Sequence, residues 1–273
     1  MRPVSPRDKL AALEGILREM GGAVIAYSGG VDSSLLAVVA GEVLGQRSLA
    51  VTALSETYPA AEAELARELA RRAGFRFREI ETRELENASF RTNPPDRCYH
   101  CKRELFAKLA EIAREEGLPF VADGSNTDDL SDFRPGERAA EEFGVRHPLR
   151  EAGLTKADIR EISRAKGIPG WDRPPSACLA SRVPYGEPIE PRTLARIAAA
   201  EEFLRARGYR VCRVRSHRDV ARIEVDRAEI LRLAGSDAQE VSARLRELGF
   251  RYVTLDLEGY RTGSMNEALG VVR

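Results

Sequence analysis

The chain has 273 residues, which is enough for one large domain or two smaller ones. Apolar residues make up 43% and charged residues 32%, the composition of an ordinary globular protein. Lysine plus arginine and aspartate plus glutamate both number 43, so the net charge is zero. A protein that coats nucleic acid usually has a basic excess, and we therefore expect no nucleic-acid partner.

No apolar run in the sequence is long enough to span a bilayer. The first 22 residues form a charged amphipathic stretch without the apolar core of a signal peptide. We therefore expect a cytoplasmic protein with no membrane partner. In that reducing compartment, the four cysteines are expected to be thiols, metal ligands or catalytic groups rather than disulfides.

Strand and helix alternate along the first part of the chain. Ser5 and Asp8 resemble a capping box before an amphipathic helix, with Asp in place of the usual Glu. Thr155 and Asp158 open a second capped helix, which stops at Gly167. Between them we predict strands over 23–27, 49–54, 77–80 and 120–122, and helices over 31–44, 59–73 and 104–116. This alternation is typical of a parallel sheet covered by helices.

The pattern changes after residue 167. Residues 172–191 contain five prolines and little periodicity, so they are predicted to connect two domains. The following elements are predicted as helix 193–207, strands 211–216 and 220–225, helices 227–234 and 238–248, and strand 252–257. We therefore predict an α/β domain over 1–182 and a smaller α+β domain over 183–273. The second domain is assigned to substrate binding or to assembly of a homo-oligomer.

A glycine loop lies between the first predicted strand and the second predicted helix. Its residues are Ser28, Gly29, Gly30, Val31, Asp32, Ser33 and Ser34. Two glycines allow a tight turn and close approach to a ligand, and the amide groups at a helix start favour phosphate oxygens. No lysine follows the glycines, so this is not a Walker A loop. A plain turn between strand and helix is the alternative.

The loop matches the SGGxDS signature of the PP-loop superfamily. The resemblance implies an adenine nucleotide alpha hydrolase-like fold, in which the loop holds the pyrophosphate of ATP while a nucleophile attacks the α-phosphate. It also implies Mg²⁺, for which Asp32, Asp128 and Asp129 are candidate ligands. The last two follow a predicted strand, where open sheets place ligand contacts. Turn formation and helix capping are the alternative roles of Asp128 and Asp129.

Three of the four cysteines lie outside predicted strands. Cys98 and Cys101 form a C-x-x-C pair, Cys178 lies in the connector, and Cys212 is predicted to be a small core residue of a strand. The histidines that could complete a zinc site are His100, His147 and His217. A thioredoxin-like pair leaves Cys178 unexplained. Three cysteines suit an iron–sulfur cluster in which one iron can hold sulfide, and three unrelated thiols are the alternative.

Taken together, these segments resemble the LarE family of ATP-dependent sulfur transferases, which act in the biosynthesis of the nickel-pincer cofactor of lactate racemase. The resemblance covers nearly the whole chain. It is carried by residues 28–34, 97–103, 124–129, 133–136, 148–160, 176–186, 213–217 and 221–225. This combination is far more specific than any one motif.

The resemblance implies a pyridinium-3,5-biscarboxylic acid mononucleotide substrate, whose carboxylates are adenylated and converted to thiocarboxylates. Some family members sacrifice one cysteine, at the position of Cys178. Others hold a [4Fe-4S] cluster with three cysteines, at the positions of Cys98, Cys101 and Cys178. We expect the cluster route, with sulfide or another sulfur donor, and with the three thiols close to the ATP α-phosphate. The expected cofactors are ATP, Mg²⁺ and [4Fe-4S].

Basic residues near the connector are candidates for binding the anionic substrate. Arg182, Arg213 and Arg215 could each fork onto a phosphate or carboxylate. The alternative is that these arginines lie on a solvent-exposed basic face of a strand. Glu224 is either an acidic site residue or part of a surface ion pair. We expect the substrate pocket between the carboxyl edge of the sheet and the second domain.

Three other kinds of protein use a similar loop. A tRNA thiolation enzyme should show a basic surface or a zinc module, and neither the charge nor the cysteine count supplies one. An ammonia-using synthetase, such as an NAD or GMP synthetase, does not need the three cysteines. A nucleotide-binding regulatory protein does not need clustered thiols either. The sequence therefore favours the sulfur transferase.

Overall fold

The protein is described by a computed structural model that covers residues 5–131, 134–174, 177–261 and residue 264. Phe133 and Ser176, which belong to segments of the family resemblance, lie outside the described residues. None of the helices in the described ranges is both long and apolar enough to cross a membrane.

The chain divides into two compact units. The first contains Met1–Glu84 and Cys98–Ser176, and the second contains Leu85–Arg97 and Ala177–Arg273. This division differs from the predicted boundary after Arg182. The difference arises because residues 91–97 bond to residues 183–189, and because the Arg182 side chain bonds to the backbone of residues 177 and 178.

Seven strands and eleven α-helices are seen in the described residues. The strands are β1 (Ala23–Ala26), β2 (Ser48–Leu54), β3 (Phe77–Glu81), β4 (Phe120–Ala122), β5 (Cys212–His217), β6 (Val220–Val225) and β7 (Tyr252–Leu255). The helices are α1 (Pro6–Met20), α2 (Val31–Leu44), α3 (Ala60–Ala73), α4 (Ala88–Arg91), α5 (Arg97–Glu115), α6 (Gly136–Glu142), α7 (Pro148–Glu151), α8 (Lys156–Ala165), α9 (Pro191–Ala206), α10 (Ile230–Ala234) and α11 (Ala238–Glu247).

The first unit is built on a parallel sheet with the strand order β3-β2-β1-β4. All four residues of β1 are buried, because helices cover both faces of the sheet. Ile25 packs in a cluster with Leu13 of α1, whereas Val24 packs in a second cluster with Phe106 of α5. The predicted helix-covered parallel sheet is confirmed. The neighbouring strands β1 and β4 lead at the same edge into the glycine loop and into residues 123–126.

Both predicted capping boxes are present. The Ser5 hydroxyl accepts the Asp8 amide at 3.2 Å, and the Asp8 carboxylate accepts the Ser5 amide at 3.3 Å. The Thr155 hydroxyl likewise accepts the Asp158 amide at 3.2 Å, and the carboxylate of Asp158 accepts the amide of Thr155 at 2.9 Å. Asp is long enough to replace Glu here, so both helix starts are satisfied locally.

Helix α5 begins at Arg97 instead of the predicted Glu104. Cys98, Tyr99 and His100 are weak helix formers, which hides the first turns from a propensity argument. In the second unit, Arg97 donates to Asn93 Oδ1 at 2.9 Å and its guanidinium lies 4.5 Å from the Tyr185 ring centroid. The C-x-x-C pair therefore lies on a helix and not in a loop.

The second unit contains the predicted α-β-β-α-β series. Strands β5 and β6 pair antiparallel, β6 and β7 pair in parallel, and α9 packs against β5. Buried residues of α9 and β5, such as Leu204 and Val214, form part of this small core. The predicted smaller α+β fold is confirmed.

Asn93 connects the two chain segments of the second unit. It is fully buried and has a φ of 56°, in the left-handed region that side chains other than Asn and Gly rarely adopt. Its Nδ2 shares its two hydrogens among the carbonyls of Val183, Pro184 and Glu187, at 3.2, 2.7 and 3.0 Å. Its own carbonyl accepts the Gly186 amide at 2.9 Å. One side chain thus satisfies the carbonyls of a loop that is distant in sequence.

We predict that Asn93→Ala lowers the free energy of unfolding by about 3 kcal/mol or more, because three carbonyls lose a donor. Asn93→Gly loses the same bonds but tolerates the positive φ, so it should be about 1 kcal/mol less damaging than Asn93→Ala. Asn87→Ala, which removes an exposed cap, is the matched control and should cost about 1 kcal/mol. Urea unfolding measures all three, and equal losses in Asn93→Ala and Asn87→Ala would contradict the assignment.

Candidate active site

The glycine loop leaves the start of α2 open to a ligand. Gly29 has a φ of +67°, and a β-carbon there would lie 3.4 Å from the carbonyl oxygen of Glu62. Gly30 is the N-cap of α2 and provides no side-chain hydrogen bond to the first turn. The amide groups of that turn therefore remain available to an anion such as a phosphate, which the positive end of the helix dipole also attracts.

Two serines hold the ends of the loop together. The Ser33 hydroxyl accepts the Ser28 amide at 3.2 Å, lies 3.1 Å from the Ser28 hydroxyl and donates to the Gly30 carbonyl at 3.1 Å. The Tyr58 hydroxyl donates to the Ser28 carbonyl at 3.0 Å, and burial raises the pKa of Tyr58, so it remains a donor at neutral pH. The loop is thus shaped before a ligand binds, which limits the entropy cost of binding.

Asp32 forms a half-buried ion pair with Lys156, the first residue of α8. The Lys156 Nζ lies 2.5 Å from Asp32 Oδ2. The other oxygen, Oδ1, is buried and has no hydrogen-bond partner among the described residues. Burial raises the pKa of the Asp32 carboxyl, and the Lys156 charge opposes that rise. The site therefore holds one carboxylate oxygen that is suited to a cation and one ammonium group that is suited to a phosphate.

Sequence reasoning assigned no role to Lys156. The lysine lies 124 residues from Asp32 and within the capping box of Thr155 and Asp158, so its position looks like that of an ordinary first residue of a helix. The signal that could have identified it is the acidic residue in the glycine loop, because a half-buried carboxylate requires a cation.

The end of β4 packs directly on the start of α2. A β-carbon on Gly124 would lie 2.8 Å from the Ser33 nitrogen and 3.0 Å from the Ser33 α-carbon, so only glycine fits. Downstream, Asp129 accepts the Asn126 amide at 2.9 Å and pairs with Arg134 at 2.6 Å. Asp128 accepts the Lys156 amide at 2.8 Å. Both aspartates therefore make turn and capping contacts, and magnesium binding by Asp128 stays a prediction.

The four cysteines occupy different environments, and none is disulfide-bonded. Cys98 is exposed and Cys101 is half-buried; they are three residues apart on α5, so both lie on one side of the helix. Cys178 is exposed and belongs to the second unit. Cys212 is 1% exposed in β5, and burial raises its pKa to about 12, which confirms the prediction of a core residue.

The predicted three-cysteine group is not contained in either unit by itself. Cys98 and Cys101 belong to the first unit and Cys178 to the second. Over the described ranges, no three His, Cys, Asp or Glu side chains are gathered as a metal site. Convergence of the three thiols beside the ATP α-phosphate stays a prediction.

Arg182 holds the backbone around Cys178. Its Nε and Nη2 donate to the two oxygens of Glu201 at 2.8 and 3.0 Å. Its Nη1 donates to the Ala177 carbonyl at 2.7 Å and to the Cys178 carbonyl at 3.0 Å. Arg182 was predicted to fork onto the substrate, but its fork faces Glu201, a residue that the sequence analysis did not single out. Its substrate contact remains a prediction.

The other two predicted arginines are also buried. Arg215 donates to both oxygens of Glu224 at 3.0 and 2.8 Å and to the Ser181 carbonyl at 2.8 Å. Glu224 is 0% exposed and therefore does not belong to a surface ion pair. Burial lowers the pKa of Arg213, and the Arg182 charge lowers it further. Arg182 and Arg215 are thus each paired with a buried carboxylate. The predicted fork of Arg215 therefore faces Glu224, and its substrate contact stays a prediction.

The parallel sheet and its uncapped glycine loop define a PP-loop α/β protein. Consistent with this class, the NAD synthase family model matches residues 10–115. The chain is 38% identical to the pyridinium-3,5-bisthiocarboxylic acid mononucleotide synthase of Lactiplantibacillus plantarum, over 96% of this chain and 95% of that protein. The chain belongs to the family of that synthase, the LarE family, as the sequence resemblance indicated.

Two further relatives show how far the similarity extends. An uncharacterized protein of Synechocystis sp. is 44% identical over 96% of this chain and 98% of its own length. A glutamine-hydrolyzing GMP synthase polypeptide from Archaeoglobus fulgidus is 29% identical over only 55% of this chain and 52% of its own length. Similarity to the GMP synthase thus stops part-way along the chain, whereas similarity to the LarE synthase continues through it.

We predict that Gly124→Ala weakens ATP binding about tenfold or more, because the new methyl group must displace the first turn of α2. Isothermal titration measures the dissociation constant. Gly15→Ala is the matched control: the same substitution lies in α1, where a β-carbon meets nothing within 4 Å. It should leave ATP binding unchanged and stabilise the helix by up to about 1 kcal/mol. Equal ATP affinities in the two variants would contradict the packing argument.

Proposed function

We propose that this protein adenylates a carboxylate of pyridinium-3,5-biscarboxylic acid mononucleotide with ATP and converts it to a thiocarboxylate, in the biosynthesis of the lactate racemase nickel-pincer cofactor. One observation carries the proposal. The chain contains an uncapped glycine loop with the Asp32–Lys156 pair. The same chain is similar, along nearly its full length, to a synthase of pyridinium-3,5-bisthiocarboxylic acid mononucleotide. The partial match to GMP synthase supports only the nucleotide chemistry.

The first half-reaction is nucleotide transfer. A carboxylate oxygen of the substrate attacks the α-phosphorus, an acyl-adenylate forms and pyrophosphate leaves. The amide groups at the start of α2 receive the pyrophosphate charge, and Lys156 adds a cation when it turns from Asp32 to the phosphates. Because the amide groups are already in place, they stabilise the departing charge without reorganisation.

Asp32 is the residue best suited to hold Mg²⁺ in this site. Its Oδ1 is buried without a partner among the described residues, and carboxylate oxygens are preferred magnesium ligands. A bound Mg²⁺ would supply charge neutralisation for the phosphates. Asp128 would be a second candidate, although its Oδ2 accepts the Lys156 amide.

The second half-reaction replaces AMP with sulfur. A sulfur nucleophile attacks the acyl carbon, the bond to AMP breaks and a thiocarboxylate remains. Cys98, Cys101 and Cys178 would hold the [4Fe-4S] cluster, which when bound would supply a site for exogenous sulfide. The exposed and half-buried thiols on one side of α5 support this arrangement. Direct sacrifice of Cys178, which is exposed, is the alternative.

Arg213 would bind a phosphate or carboxylate of the substrate, with Arg215 as a second candidate although its fork faces Glu224. Arg182 would act mainly through the backbone of Cys178, which it holds together with Glu201. We propose a homo-oligomer of unspecified size, without a nucleic-acid partner.

Lys156→Met and Asp32→Ala should each lower substrate-dependent pyrophosphate release about a hundredfold, since the first removes a cation at the phosphates and the second removes the proposed Mg²⁺ ligand. Ser33→Ala should lower it as well, because the loop loses its internal bonds. Lys166→Met is the matched control: Lys166 caps the other end of α8 and pairs with Glu42 of α2 at 2.6 Å. A phosphate-release assay that finds the two lysine variants alike would remove Lys156 from the site.

Cys98→Ser and Cys101→Ser proteins, purified anaerobically, should lose iron and multiple turnover, because each removes a cluster ligand. Cys212→Ser should keep both, since Cys212 is a core residue. Iron analysis and thiocarboxylate quantification by mass spectrometry measure the outcome. One sulfur transferred per chain by the Cys98 and Cys101 variants, with Cys178 converted to dehydroalanine, would show the sacrificial route instead.

A further inference from the structure

His147 lies at the carboxyl edge of the parallel sheet although it belongs to no strand. The chain before it runs beside β4, where Ala122 and Arg146 form a parallel bridge. The Arg146 amide donates to the Val121 carbonyl at 2.9 Å, and the Asp123 amide donates to the Arg146 carbonyl at 3.1 Å. This pairing extends the sheet by one short segment. His147 and Asp123 therefore leave the sheet side by side.

The two side chains form a tight hydrogen bond. His147 Nδ1 lies 2.7 Å from Asp123 Oδ1, which also accepts the Ser125 amide at 3.0 Å. Burial would raise the pKa of the Asp123 carboxyl, but the bond from His147 and the nearby charge of Lys102 outweigh it and bring the pKa to about 2. Asp123 is thus an ionised acceptor at neutral pH. Its carboxylate oxygen is the partner of Nδ1, so the other ring nitrogen, Nε2, is directed away from this bond.

Three other charged side chains lie near this pair. The charge of Lys102 acts on it from α5, while Arg146 and Glu151 pair with each other beside the His147 backbone. Glu151 also accepts the His147 amide at 3.1 Å, which fixes the backbone of the histidine. The ring itself keeps 19% of its side-chain surface exposed and can therefore exchange a proton with its surroundings.

The pair is connected to both parts of the first unit that the reaction uses. Gly124, the residue after Asp123, abuts the Ser33 nitrogen at the start of α2. On the other side, Lys102 follows Cys101 on α5, and its charge acts on Asp123. A β-carbon on Gly136 would lie 3.0 Å from Lys102 Cγ and 3.6 Å from the Cys98 carbonyl. Asp123, the partner of the histidine, thus precedes the residue that packs on α2 and lies in the field of the residue that follows Cys101.

We propose that His147, oriented by Asp123, accepts the proton of the incoming sulfur nucleophile. The assignment rests on the sulfur transfer proposed above. Hydrogen sulfide gives one proton to Nε2, and the resulting hydrosulfide attacks the acyl carbon of the adenylate. The bond from that carbon to AMP breaks, and AMP leaves with the electron pair. The imidazolium and the thiocarboxylic acid then each release a proton to solvent, so no oxidant or reductant is required.

The test separates the two half-reactions, with sodium sulfide as the sulfur source. His147→Gln should release pyrophosphate within about twofold of the unsubstituted protein, which also shows that it folds. Its thiocarboxylate formation should fall about 10²- to 10⁴-fold, the usual contribution of a proton-transfer group. His217→Gln, at another half-buried histidine, should leave both rates unchanged.

Two further measurements distinguish proton transfer from a structural role. Asp123→Asn should lower sulfur transfer and leave pyrophosphate release within about twofold, because it removes the carboxylate that orients the His147 ring. Added imidazole should restore sulfur transfer in His147→Ala.

Equal losses of pyrophosphate release and sulfur transfer in His147→Gln would overturn the assignment, as would the failure of added imidazole to restore sulfur transfer in His147→Ala. Those results would leave the proposed function standing, because the unsubstituted protein would still complete both half-reactions. An unsubstituted protein that releases no pyrophosphate with the pyridinium mononucleotide would overturn the proposed function and the role of His147 with it.

Discussion

Gly124 brings the end of β4 so close to the first turn of α2 that a β-carbon would lie 2.8 Å from the Ser33 nitrogen. This approach sets the distance between the two chain segments that leave the carboxyl edge of the sheet. It places Asp123 beside the glycine loop and keeps the start of α2 aligned behind the loop. The Asp32–Lys156 pair then connects the same turn to α8. A nucleotide site built in this way needs no capping side chain, because the ligand itself satisfies the helix start.

The second unit meets a different physical demand, which is the burial of charge. Arg182 and Arg215 are 2% and 5% exposed, and their partners Glu201 and Glu224 are 1% and 0% exposed. Removing one partner of such a pair typically costs about 3–5 kcal/mol, whereas the intact pair adds little net stability. The pairs are therefore better explained by what they position. Arg182 bonds to the carbonyl of Cys178 and Arg215 to that of Ser181, so both guanidinium groups hold the cysteine-bearing segment.

Local patterns predicted much of this structure. The helix Val31–Leu44, the capping boxes and the glycine loop depend on neighbouring residues, and each was found in place. The start of α5 at Arg97 was not predicted from the sequence, because the first turns of this helix contain weak helix formers. The roles of Lys156 and Glu201 were missed because their partners, Asp32 and Arg182, lie 124 and 19 residues away in the sequence. Helical or strand periodicity does not indicate pairs at such separations. The membership of Leu85–Arg97 in the second unit likewise depends on Asn93 and its distant carbonyls.

That interleaved connectivity affects how the chain is made. Asn93 leaves the ribosome 90 residues before Val183, the first of its three acceptors. At about 5–20 residues per second, the delay is several seconds, far longer than a helix or hairpin needs to form. The parallel sheet can assemble during that interval with Leu85–Arg97 as an unfinished loop. Asn93 must then await the connector, so the nascent chain exposes this loop to proteases and chaperones until residues 183–187 have been made.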